Sequence, residues 1–146
     1  MLYSRDFYDV VKKHLQRDGI LQTWYPENEG DSATTASIAK ALIQSFPYVR
    51  AFRSFDNGSG IHFLASMEPL PAISSSAMAA HMPPAAASDF VEWGPEDNAQ
   101  KQFELVLPHE VPMEKLISED PRVPALQDDK PINEYYFLRR WLHYYR

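Results

Sequence analysis

An α/β fold is what this sequence predicts, from three observations. Apolar residues recur at three- and four-residue spacing in two stretches, a short β-rich run follows each stretch, and Asn57-Gly58 sits before a further β-rich run. The chain has 146 residues, enough for one ordinary hydrophobic core.

The elements follow in order. Ser4 caps a first helix running to Arg17, with Phe7, Val10, Val11, His14 and Leu15 on its apolar side. Asp18-Gly19 ends it, and Gly19 can take the left-handed conformation of a helix terminus. Ile20 to Tyr25 is a short strand that closes on two aromatic residues. Asp31 or Ser32 caps a second helix with Ile38, Ala39, Leu42, Ile43 and Phe46 on one face, and Pro47 closes it. Val49 to Phe55 and Ile61 to Ser66 are two β runs joined by DNGSG, a tight hairpin signal because such turns need positive φ. The order helix, strand, helix, strand, hairpin, strand predicts a parallel sheet joined by a right-handed crossover, with helices over both faces. Three strands leave an apolar edge that the second half of the chain or another chain must cover.

After Pro69 the character changes. PLPAISSSAMAAHMPPAAAS is rich in Pro, Ala and Ser and carries no charge before Asp89, so residues 71–88 read as a linker or arm between the α/β part at 1–70 and a helical tail at 89–146. In the tail, Ser88 caps a short helix with Phe90, Val91 and Trp93, a second runs through Gln100 to Leu107 and a third through Met113 to Ile117. The last begins near Pro131 or Ile132 and aligns Tyr135, Leu138, Trp141, Leu142 and Tyr145 on one face, suited to the core or to a subunit interface.

Charge and composition exclude several classes. With 14 basic and 20 acidic residues and no basic run, a nucleic-acid partner is not expected. There is no cysteine and hence neither disulfide nor thiolate chemistry. No apolar stretch approaches the roughly 20 residues that span a bilayer, so no membrane insertion is expected and the location is read as cytoplasmic. The five histidines show no metal-ligand spacing, and Ser74 to Ser76 lack a nucleophile elbow.

The first 70 residues resemble the C-terminal half of the spermidine synthase-like branch of the class I methyltransferase fold, closest to bacterial forms fused to transporter-like segments. The stretches that carry the likeness are LYSRDFYDVVKKHLQRDGILQTWYP, the helix ending in SFPYV, and GIHFLASMEPLP. The tail LQDDKPINEYYFLRR is similar to a segment near the end of the same proteins. The resemblance implies a partial Rossmann-like fold and aminopropyl transfer from decarboxylated S-adenosylmethionine to an amine in polyamine biosynthesis. In that family the glycine-rich cofactor loop and the catalytic Asp lie upstream of this helix, and the glycines here all sit in turn contexts. The chain alone is therefore expected to hold no cofactor and to be inactive. The alternative is a non-catalytic binding or oligomerisation module on the same scaffold.

The candidate site residues lie at the strand end and in the tail. Spermidine synthases carry an amine-binding Gln near the end of this strand; the corresponding position is Trp24, or Gln22 if the register slips by two. Trp24 and Tyr25 could stack on a ligand or an ammonium, or one ring could be core while the other caps the sheet. Asp128, Asp129 and Glu134 could bind a polyamine or another small amine, or could serve only the dipole of the following helix. A homodimer is expected, built through the sheet edge, the aromatic last helix or an exchanged arm.

Overall fold

Ser4 begins the first helix by accepting a hydrogen bond from the Phe7 N–H at 3.1 Å, which satisfies one of the helix's orphan donors. The computed structural model describes residues 2–27, 31–55, 60–135, 138, 141 and 142. Helix α1 covers Arg5–His14 and ends three residues short of the expected stop, because Leu15 turns to extended backbone. Its inward face is Tyr8, fully buried, flanked by half-buried Phe7, Val11 and Leu15. Val10 and His14 are exposed. Gly19 closes the following turn by donating to the Gln16 carbonyl at 2.9 Å, without the expected positive φ.

Strand β1 is Ile20–Tyr25 and helix α2 is Ser32–Ser45. Asp31 caps α2, accepting from the Thr34 N–H at 3.1 Å and the Thr34 hydroxyl at 2.6 Å. Small residues let α2 sit deep: Ala33, Ala36, Ala39 and Ala41 are buried with Ile38 and Leu42, whereas Ile43 points to solvent. Strands β2 (Tyr48–Arg53) and β3 (Ile61–Ser66) come next. The Asn57-Gly58 turn between them lies outside the described residues.

The sheet order is β1-β3-β2-β4, with β4 a two-residue strand at Glu110–Val111, and every neighbouring pair is antiparallel. This corrects the expectation of a parallel sheet. Strands β1 and β2 do run parallel to each other, as a helical crossover through α2 requires. They are not neighbours, because β3 returns through its hairpin and fills the slot between them. The result is a split β-α-β unit.

Alternation along the strands gives the sheet two distinct faces. Tyr25, Ala51, Ile61, Phe63 and Ala65 face α2 and form the main core with it. The second half of the chain closes this layer. Helix α6 (Met113–Ser118) supplies Leu116, and the segment after it supplies Val123, Ala125, Leu126 and Ile132. That segment is clamped to α2: the Ser37 hydroxyl donates to the Pro124 carbonyl at 2.8 Å, and the Leu126 N–H donates to the Ser37 carbonyl at 3.1 Å.

Residues 71–88 are not an extended linker. Ser74 caps helix α3 (Ser75–His81), accepting from the Ala77 N–H at 3.2 Å, and helix α4 (Pro84–Glu92) starts on a proline. Alanine has the best helix propensity and proline is tolerated in a first turn, so a composition that reads as linker folds as two helices. Ser88 consequently lies inside α4 and caps nothing. Helix α5 (Ala99–Val106) pairs with both. The expected last helix begins as a 3₁₀ turn at Ile132–Tyr135; most residues beyond Tyr135 lie outside the described ones, and Leu138, Trp141 and Leu142 are exposed. No helix among the described residues is long and apolar enough to cross a membrane.

Candidate functional site

The second face of the sheet carries Ile20, Gln22, Trp24, Arg50, Phe52, His62 and Leu64, and helices α3 to α5 do not pack flush against it. A cavity of about 580 Å³ separates the two. Its floor is Ile20, Gln22, Phe52, His62 and Leu64 from the strands; Met78, Phe90, Phe103 and Leu107 are among the roof residues. Phe90 and Phe103 stack at 5.0 Å between ring centroids and hold α4 against α5. Gln102, the one buried side chain of α5, pins the α4–α5 turn by donating to the carbonyls of Phe90 and Glu96 at 3.2 and 3.4 Å.

The polar groups on this floor are arranged in pairs. Gln22 Nε2 stands 3.2 Å from His62 Nδ1, and His62 Nε2 stands 3.4 Å from Ser54 Oγ. The His62 ring thus lies between the Gln22 amide and the Ser54 hydroxyl, within hydrogen-bond distance of both. Arg50 donates from Nε and Nη2 to the two oxygens of Glu110 at 2.7 and 2.8 Å, and from Nη1 to the Pro71 carbonyl at 3.2 Å. Its guanidinium lies 5.1 Å from the centre of the Phe52 ring. The Arg50 hydrogen bond holds the Glu110 carboxyl below its ordinary value of 4.5.

A lowered carboxyl pKa stabilises the fold above the unfolded value and stops doing so as pH falls through the folded value. The Glu110 side chain is 41% exposed, so the pair contributes less than about 1 kcal/mol after solvent screening. Glu110→Gln should therefore lower stability slightly in urea unfolding at pH 7. The difference should shrink as the pH falls through the lowered pKa of Glu110, where the native carboxylate is protonated and its ion pair with Arg50 is lost.

The six residues expected to bind a ligand are distributed unequally. Gln22 lines the cavity, paired with His62. Trp24 lies on the same face at its outer end, 44% exposed, with its ring 6.5 Å from that of His62. Tyr25 points the other way, 6% exposed, and meets Tyr3 edge-on at 5.8 Å. Trp24 and Tyr25 thus cannot sandwich one ligand. Tyr3, held at a φ of 68°, donates its hydroxyl to the Trp24 carbonyl at 2.6 Å. Beside it Ser4 donates a hydrogen bond that keeps the Asp128 carboxyl below the usual range, and the Asp128 N–H donates to Asp6 Oδ2 at 3.0 Å. The first turn of α1 thereby links the carboxyl end of β1 to Asp128. Asp129 and Glu134 are exposed and project from the surface nearby in sequence.

Sequence reasoning missed three residues here. His62 and Leu64 share the parity of Gln22 and Trp24 across the β1–β3 register, which pairs Gln22 with Leu64 and Trp24 with His62. That alternation was the available signal. Arg50 gave no local sign of its role, because its partner Glu110 lies 60 residues away. Among the described residues no cluster of His, Cys, Asp and Glu is placed to hold a metal.

No protein-family model, no curated protein and no solved structure matches this chain.

Proposed function

We propose that this chain is a spermidine synthase-like part-domain that supplies the amine side of an aminopropyl-transfer site in the cytoplasm and does not transfer the group by itself. The observation that carries the reading is the split crossover. Strands β1 and β2 are parallel and joined by α2; at the carboxyl end of β1 the Trp24 carbonyl accepts from Tyr3, whose neighbour Ser4 in turn bonds Asp128. Ligands of open α/β sheets bind outside the carboxyl ends of the strands. A polyamine is a set of ammonium groups on an apolar stem. The half-exposed Trp24 ring offers one ammonium a cation–π contact of about 0.5–2 kcal/mol, and Asp128, Asp129 and Glu134 are exposed carboxylates for another. The sequence holds no Gly-x-Gly-x-x-Gly loop for the adenosyl co-substrate, decarboxylated S-adenosylmethionine. The test is a titration read at Trp24, in which spermidine should bind and methylthioadenosine should not.

The sheet edge favours a second reading, a non-catalytic module that assembles through β1. Strand β4 covers part of the β2 edge, whereas the outer edge of β1 has no strand beside it among the described residues. Ile20 and Trp24 are exposed along it, and Leu138, Trp141 and Leu142 are exposed in the tail. An unpaired edge of this kind invites pairing. Sedimentation equilibrium should show a homodimer, whose interface would bury more than about 1,000 Å². A monomer persisting at high micromolar concentration removes this reading.

A further inference from the structure

The cavity between the sheet and helices α3 to α5 is a different place from the strand end, and its chemistry is different. Its volume of about 580 Å³ lies within the range of small-molecule sites, roughly 300–1,000 Å³. Among the described residues no carboxylate lines it, and its one charged side chain, Arg50, is already neutralised by both oxygens of Glu110. An ammonium would lose its hydration there and gain no counter-charge; a carboxylate would have to compete with Glu110 for Arg50. The walls are otherwise aliphatic and aromatic, with Leu64 below and Met78, Phe90 and Phe103 above. The remaining polar feature is the Gln22–His62 pair. Between them the Gln22 amide and the His62 imidazole offer both donor and acceptor atoms at the edge of an otherwise apolar lining.

We infer that this cavity binds an uncharged, mainly apolar small molecule carrying a single hydroxyl, which docks on the Gln22–His62 pair. The roof suits such a guest. Apart from Gln102 no side chain of α3 to α5 is fully buried, so these helices can part from the sheet at little cost and close again on an apolar ligand. The inference stands apart from the amine reading, since among the described residues no carboxylate lines this cavity to balance the charge of a polyamine.

The experiment uses the full chain and N-phenyl-1-naphthylamine, an uncharged apolar fluorophore, as the probe. Its emission should rise saturably at one site per chain, and decanol should displace it at least ten-fold more effectively than decylamine or decanoate. Leu64→Trp from the floor and Met78→Trp from the roof should each abolish probe binding while circular dichroism shows the fold intact. Using two variants on opposite walls guards against one of them misfolding. Gln22→Leu should retain the probe but reduce the advantage of decanol over the charged amphiphiles. Absence of saturable binding, equal displacement by the charged amphiphiles, or probe binding that survives both Trp substitutions in folded protein would each overturn the inference. None of these outcomes depends on whether spermidine binds at Trp24.

Discussion

Phe63→Ala should lower the stability of this protein by about 3–5 kcal/mol, while Leu64→Ala, the next residue, should cost less than about 2. Phe63 is the central core residue of β3, fully buried, and pairs across the sheet with Thr23 and Ala51. The core on its side is a continuous cluster of buried residues shared by α2, the sheet and α6, so deleting the ring leaves a void in the centre of the packed layer. Leu64 is half-buried and faces the cavity, where deleting atoms merely enlarges a space already present. Whole domains are stable by only about 5–15 kcal/mol, so the first change should leave the protein partly unfolded at moderate temperature. Urea unfolding of the two variants measures the contrast. Equal losses would mean that the sheet packs equally on both faces and that the cavity is filled.

Gly60→Ala should be the next most damaging single change, at about 3 kcal/mol. Gly60 has a φ of 119°, a region that side chains of L-residues rarely enter, and such strain alone costs of order 1–3 kcal/mol. A Cβ there would also stand 2.3 Å from Trp24 Nε1 and 3.0 Å from the Tyr25 carbonyl oxygen. The indole must therefore move or the end of β1 must shift away from β3. Thermal unfolding should show the loss and tryptophan emission should change with it. A protein with unaltered emission and stability would contradict the placement of Trp24 over Gly60.

Strands β1, β2 and β3 and helix α2 are legible in the sequence because each carries its own period. The features the sequence does not reveal are relational. Parallel direction of β1 and β2 is dictated by the helix between them, but the gap that admits β3 is not. The two residues of β4 have no period to read; they are a strand only because Ala51 and Phe52 lie opposite. In α1 the apolar spacing places Val10 inside, whereas Tyr8 occupies the interior, packed edge-on against Phe46 at 6.0 Å. Tyrosine serves there as a large apolar body, and its hydroxyl finds no hydrogen-bond partner among the described residues. The Pro-, Ala- and Ser-rich stretch misleads because composition alone cannot distinguish a solvated arm from capped, alanine-driven helices. Of the site, the shared parity of Gln22 and Trp24 is readable and the roof over Gln22 is not.

Spermidine titrated against Trp24 emission tests the central reading most directly. Trp93 and Trp141 are 87% and 75% exposed, so a Trp93→Phe, Trp141→Phe background leaves Trp24 as the sole reporter with little disturbance. The reading predicts a saturable change at millimolar spermidine, equivalent to about 4 kcal/mol of binding. It predicts a midpoint several-fold weaker in Asp128→Asn and no response to methylthioadenosine. No saturable response to spermidine, a response unchanged in Asp128→Asn, or tight binding of methylthioadenosine would contradict it.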